Sequence, residues 1–181
     1  MTESEIRLLL SARFSRYNGN GPAYVFAPRV RDDAGFDATG TADLMVMELW
    51  PSTGLRLHGF DIKTSRSDWL RERKHPEKSA PFLAAVDTWT IVTPEGCVCL
   101  SELPRDVGLL EVRNGRLHLS QEALLLRPLS ATMEHLPRGM FARLLCSAAT
   151  WARERESYEP ENAVVTPNPP NFLLDLKPDP S

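Results

Sequence analysis

Apolar residues along this 181-residue chain recur at two periods, and the switches between them mark out the elements. In ESEIRLLLSARFSRY, residues Ile6, Leu9, Leu10, Phe14 and Tyr17 follow an i, i+3, i+4, i+8, i+11 spacing, which predicts an amphipathic helix over 3–17. Extended runs follow and predict strands at 24–30, 42–50 and 55–64. LMVMELW and LRLHGFDIK are separated by PSTG, whose Pro and Gly end strands, so these two runs form a hairpin. SRSDWLRERKHPEKSAPFLAAV predicts a helix over 67–85, opened by Ser65 or Ser67 as N-cap and interrupted around Pro76 and Pro81. A strand at 88–93 completes an α-β-β-β-α-β order, a mixed α/β (α+β) arrangement. Later, Asn114-Gly115 between short alternating runs in GLLEVRNGRLHLS indicates a second hairpin. A helix near 138–156, with Met140, Phe141, Leu144, Leu145 and Ala148 on one side, is expected to cover the core.

The first hairpin brings chemistry with it. If its closing loop is Pro51 to Thr53, Trp50 faces Gly54 and Asp43 faces Asp61. Directly opposed residues share a face, with Cβ atoms about 4.5–5.5 Å apart. Lys63, two positions beyond Asp61, points to the same side. Two ionised carboxylates this close repel unless a cation sits between them. Mg²⁺ suits that position, since oxygen ligands favour a hard cation that keeps waters for substrate phosphates to displace. The backbone carbonyl of Ile62 would complete the coordination. Such an ion polarises a phosphodiester and activates a bound water, while Lys63 orients or deprotonates that water or offsets charge on phosphorus. The same residues also fit a plain alternative, in which Asp43 caps a strand and Asp61 pairs with Lys63 on a solvated sheet face.

ADLM, followed after the hairpin by GFDIKTSRSDWL and then by the strand TWTIVTP, resembles the PD-(D/E)XK nuclease superfamily. Within it, the chain is most similar to the small MmcB-like DNA repair proteins and their phage-borne relatives, over about residues 1–112 and most densely from Gly59 to Leu70. The resemblance implies a restriction-endonuclease-like αβββαβ core. It makes Asp43 the first metal-binding acid, Asp61 the second and Lys63 the catalytic lysine. Ala42 stands where the superfamily's name has proline, and Asp61 where the closer relatives often have Glu. The expected activity is Mg²⁺- or Mn²⁺-dependent hydrolysis of DNA phosphodiesters, in repair or nucleic-acid processing. A non-cleaving DNA-binding accessory protein of replication or repair, with the same fold, is the alternative.

The superfamily often adds an acid from the first helix, and Glu5, on the flank of the apolar face, is the candidate here. Thr2-x-x-Glu5 is equally a capping box, in which Glu5 bonds the Thr2 amide. Residues 63–78 carry a net charge of +3 in a chain of net −3, and they stand where a DNA backbone would approach the metal. Arg66, Arg71 and Lys74 are therefore the expected phosphate contacts, against the reading of a solvated helix with internal ion pairs. Trp69 is expected in the core or at a helix–sheet contact, and Asp68 as a helix N-terminal charge.

Length and 42% hydrophobic content suit one globular domain, expected over 1–157. There is neither a long apolar stretch nor a signal peptide, so a cytoplasmic protein that avoids membranes is expected. Cys97, Cys99 and Cys146 make neither a disulfide framework nor a zinc site, and three thiols fall short of a four-cysteine iron–sulfur cluster. Six of the 15 prolines fall in 158–181, which reads as a flexible acidic tail, either unbound or docking on a protein partner through its NFLLDL island. Residues 154–181 carry net −4, leaving the preceding 153 at +1, so overall acidity does not argue against DNA binding. Concerted cutting of two strands would need two active sites, as in a homodimer, or two visits. With no recognition helix evident, strong sequence specificity is not expected.

Overall fold

The computed structural model describes residues 1–15, 17–18, 21–33, 40–126 and 138–156. The expected tail, its NFLLDL island and the boundary at 157 lie outside these residues. Helix α1 (Glu3–Arg13) opens on a Thr2–Glu5 capping box and stops short of the predicted residue 17. Tyr17 belongs instead to β1 (Tyr17–Asn18), which pairs with β2 (Gly21–Pro22). The remaining strands are β3 (Tyr24–Arg31), β4 (Thr41–Glu48), β5 (Leu57–Ile62), β6 (Thr88–Pro94), β7 (Gly108–Arg113) and β8 (Arg116–Gln121). They form one six-stranded mixed sheet in sequence order. β3, β4 and β5 are antiparallel neighbours, β5, β6 and β7 run parallel, and β8 is antiparallel to β7.

The predicted helix over 67–85 is two helices, α2 (Arg66–Glu72) and α3 (Ala80–Leu83), joined through a 3₁₀ turn at Pro76–Lys78. Proline causes the division: Pro76 and Pro81 each lack the amide an uninterrupted helix would need, and each sits in the first turn of its own segment. The expected second hairpin is β7–β8, turned by Asn114 and Gly115 with φ of 50° and 73°, the left-handed pair a type I′ turn requires.

Helices cover both faces of the sheet. On one, Ile6 and Leu10 of α1 pack on Leu44, Val46, Phe60, Ile62, Val92 and Leu110. On the other, Trp69, Phe82 and residues of α4 (Arg138–Glu156) pack with Met45, Leu57, Trp89, Ile91 and Leu109. Burying a side chain of this size contributes about 1.5–3 kcal/mol. The apolar side of α4 is narrower than expected: Met140 and Leu144 are buried, whereas Phe141 and Leu145 are 40% and 52% exposed. The i, i+4 row through Met140, Leu144 and Ala148 faces the core, and neighbours one position along rotate about 100° away. Among the described residues no helix is long and apolar enough to cross a membrane.

Candidate active site

The β4–β5 hairpin sets the geometry. Its pairs run from Met47–Leu57 to Leu44–Phe60, so the register carried one step further sets Asp43 against Asp61, and one turn back sets Trp50 against Gly54. The loop is a 3₁₀ turn over Pro51–Thr53, closed by Gly54 in the left-handed region at φ 96°.

Beyond Leu44–Phe60 the two strands part. The Ile62 amide donates to Asp43 Oδ2 at 2.7 Å, so a side chain replaces a backbone carbonyl in the ladder. One residue on, the Lys63 amide still donates to Val92 O at 2.9 Å, which keeps β5 on β6. The neighbouring strand is irregular at the same level. Arg29, flanked by the pairs Pro28–Leu44 and Val30–Ala42, has φ 53°. Ala27 and Val30 pack in the same core cluster, as do Ala42 and Met45, so both strands change face between those positions. A regular strand would send residues three apart to opposite sides. The irregularity turns Asp43 into the fork between β4 and β5.

The fork opens into a cleft of about 600 Å³ whose lining includes Asp43, Asp61, Ile62 and Lys63, with Glu72 from α2. Asp61 and Lys63 are 7% and 6% exposed. Lys63 Nζ donates to Asp61 Oδ1 at 2.8 Å and lies 3.3 Å from Glu72 Oε2. Burial alone would lower the Lys63 pKa, but the charges of Asp61, Glu72 and Asp43 outweigh it and hold it above its usual value. Asp43 is pushed up to about 8, first by burial and then by the charge of Asp61 and a hydrogen bond to it. At neutral pH the two carboxyl groups thus retain a proton between them.

Lys63 is therefore a cation and a donor in this arrangement. Burial and the charge of Asp61 keep the proton on Asp43, and a divalent cation between the two carboxyl groups would favour its release. Among the described residues no three His, Cys, Asp or Glu side chains converge on one point. A cation here would rest on Asp43, Asp61, a backbone oxygen such as that of Ile62, water and substrate. That donor set fits Mg²⁺, which is commonly held by one or two carboxylates plus waters and phosphate oxygens.

Several expected residues stand elsewhere. Glu5 is not in the cleft: its carboxylate accepts from the Thr2 amide at 2.7 Å and closes the capping box, which holds its pKa below the usual value. Glu3, two residues earlier, lines the cleft and pairs with Arg7 and, at 3.8 Å, with Arg29. Arg66 lies outside the cleft lining, 41% exposed and engaged within the chain. Its guanidinium makes a two-pronged contact with Glu102, the second prong at 2.6 Å, and donates to Cys97 O at 3.3 Å. Those bonds hold the Glu102 carboxyl down to about 2. Arg71 does stand on the cleft wall, 74% exposed and paired with Asp68. Lys74 is exposed on the turn after α2, outside the cleft lining. Arg31 and Lys78 line the cleft, and sequence reasoning singles out neither. Lys78 is visible there only as one charge in the basic segment, and Arg31 has no mark beyond its place at a strand end.

Sequence reasoning misses Glu72 and Trp89 as well. In the sequence Glu72 counts only as an acid offsetting its basic neighbours. Trp89 lies across Gly59 so closely that a Cβ there would be 2.4 Å from its ring, which is why β5 carries glycine two residues before Asp61. Trp69 is buried as a helix–sheet contact, and its indole N–H donates to Glu102 at 3.3 Å. His58 is on the opposite face from Asp61, as the alternation requires, between Thr88 at 2.7 Å and Glu48 at 3.2 Å.

No family model matches the chain, and no curated protein matches it. Among solved structures, it is similar to the SPO1766 protein of unknown function from Silicibacter pomeroyi, at 18% identity, TM-score 0.48, and coverage of 75% of this chain and 78% of that one.

Proposed function

We propose that this chain is a metal-dependent nuclease of the PD-(D/E)XK type that hydrolyses DNA phosphodiesters. The observation that carries the reading is the contact of two carboxyl groups, Asp43 and Asp61, at the mouth of a strand fork, with an ammonium group 2.8 Å from one of them. Apart from the short β1–β2 ribbon and α3, the elements α1, β3, β4, β5, α2 and β6 follow the α-β-β-β-α-β order such a core requires, and the resemblance of GFDIKTSRSDWL to the superfamily adds to it.

Mg²⁺ or Mn²⁺ bound by Asp43 and Asp61 would supply Lewis acidity and an activated water. The chain's own residues do the rest. Asp43 is held by the Ile62 amide on Oδ2 and by its contact with Asp61, which sets the two carboxyl groups where a cation would lie between them. Lys63 is held charged between Asp61 and Glu72, which suits it to bind a phosphate oxygen and offset negative charge as the phosphorus becomes five-coordinate. Its raised pKa favours this role over proton abstraction. Arg31, Arg71 and Lys78 supply positive charge along the lining for the flanking phosphates.

The test is cleavage of labelled single-stranded, duplex, flap and junction DNAs in Mg²⁺, Mn²⁺ or EDTA, comparing the wild type with Asp61→Ala and Lys63→Ala. Metal-dependent cutting that both substitutions abolish is expected. Tight binding without cutting by the wild type would overturn the enzymatic reading in favour of an accessory DNA-binding role.

A further inference from the structure

Two carboxylates share the buried Lys63 ammonium, and they are not equivalent. Nζ donates to Asp61 Oδ1 at 2.8 Å and lies 3.3 Å from Glu72 Oε2. Asp61 also meets the Asp43 carboxyl, so it stands where a cation would draw on its charge. Among the described residues Glu72 has no ion-pair partner but Lys63, and it lines the cleft. A divalent cation beside Asp61 would repel an ammonium bonded to the same carboxylate. Glu72 is then the anion left to hold Lys63.

Glu72 is also presented from an anchored helix. Ser65 caps α2 by accepting from the Asp68 amide at 3.2 Å. Arg66 and the Trp69 indole N–H both donate to Glu102, and Arg73, next to Glu72, pairs with the same carboxylate at 3.1 Å. The last turn of α2 is thus tied down on either side of Glu72, which is what a group that fixes another side chain requires.

We propose that Glu72 is a positioning residue, which keeps the Lys63 ammonium in place at the phosphate once a divalent cation takes up Asp61. The inference rests on the metal-dependent phosphodiesterase reading and adds to it a hand-over between two anchors. Without the cation Asp61 and Glu72 share Lys63; with it, Glu72 carries the ammonium. An ammonium group has three hydrogens, so one bonded to Glu72 leaves others for a phosphate oxygen. Glu72 acts through Lys63 and touches neither metal nor substrate.

The test uses the full chain with ¹⁵N-labelled lysine at mildly acidic pH, where a buried, bonded ammonium gives a proton resonance at Nζ that exposed lysines lose to exchange with water. The chain has four lysines, and Lys63 is buried whereas Lys74 and Lys78 are exposed. The wild type should show the Lys63 resonance in EDTA and in saturating Mg²⁺. Glu72→Ala should show it in EDTA, where Asp61 suffices, and lose it in Mg²⁺. Glu72→Gln, whose amide oxygen still accepts, should keep it in both. In single-turnover cleavage of a labelled single strand, Glu72→Ala should fall about 10–100-fold at saturating DNA, with the half-saturating DNA concentration within about twofold of the wild type. Glu72→Gln should recover most of that rate. Glu72→Met keeps the length without an acceptor and takes the place of the alanine variant if that does not fold.

A Lys63 resonance that survives Mg²⁺ in Glu72→Ala would overturn the proposal, as would a rate lost equally in Glu72→Ala and Glu72→Gln while the resonance stays. Wild-type cutting with either of those results would remove the positioning role and leave the nuclease. The expected resonances in a wild type that never cuts would leave the positioning role and remove the nuclease. Resonances that ignore Mg²⁺ in every protein, with no cutting, would remove both.

Discussion

Replacing Asp43 by asparagine should stabilise the metal-free protein at alkaline pH while destroying its response to Mg²⁺. Unfolded, Asp43 ionises near its ordinary value of 3.8, but in the folded chain it keeps its proton until about 8. Between those values the folded state binds the extra proton, so stability is full below about pH 4 and declines as pH rises toward 8. At ~1.4 kcal/mol per unit the whole displacement would be worth up to ~5–6 kcal/mol. Water in the open cleft screens the pair and reduces this to about 2–3 kcal/mol. The introduced asparagine is a neutral isostere: its carbonyl can accept from the Ile62 amide, and its amide can donate to Asp61. In EDTA, the two proteins should therefore melt alike near pH 4 and differ by ~5–10 °C at pH 8, the variant being higher, at ~2–4 °C per kcal/mol for a chain of this size. On the proposed reading Mg²⁺ should bind only the folded wild type and so close the gap at pH 8, with little effect on the variant. Scanning calorimetry across pH 4–9, with and without Mg²⁺, measures all of this. A wild type as stable as the variant at pH 8 in EDTA, or a wild type indifferent to Mg²⁺, would refute the carboxylate pairing.

Other consequences are separable. Gly59→Ala forces Trp89 off β5 and should destabilise the fold by about 1–3 kcal/mol in urea denaturation, since neither the strand nor the buried indole has room to yield. Glu5→Ala removes a capping contact and should lower the melting temperature without changing cleavage at a temperature where both proteins are folded; loss of catalysis would restore Glu5 to the site. Arg71→Ala and Lys78→Ala should each reduce the slope of log K against log salt for DNA by about 1, whereas Arg66→Ala should leave the slope unchanged and lower stability through Glu102.

What is legible in the sequence is local. The PSTG loop dictates the hairpin register and with it the opposition of Asp43 and Asp61, because turn length and strand parity leave one solution. Pro76, Pro81 and Asn114-Gly115 act within a few residues of themselves and are likewise readable. Features that depend on where an element sits are not. Glu3 and Glu5 share the first turn of α1, and only docking of the helix on the sheet decides which reaches the cleft. Arg66 finds Glu102 36 residues away, on a loop whose position follows from the parallel β6–β7 pairing. The partnership of Gly59 with Trp89 likewise spans a crossover that no hairpin argument reaches. The fork itself comes from a face change in two strands at once, which strict alternation cannot anticipate.

The most direct measurement is the single-turnover rate of phosphodiester hydrolysis on a labelled single strand in Mg²⁺, for the wild type, Asp61→Asn and Lys63→Met, each first shown to be folded by its melting transition. Wild-type hydrolysis that stops in EDTA and falls at least ~100-fold in both variants is expected, since each loses a charge that acts in the transition state. Equal rates in all three folded proteins, or a folded wild type that binds DNA and never cuts it, would contradict the assignment of Asp43, Asp61 and Lys63 to catalysis.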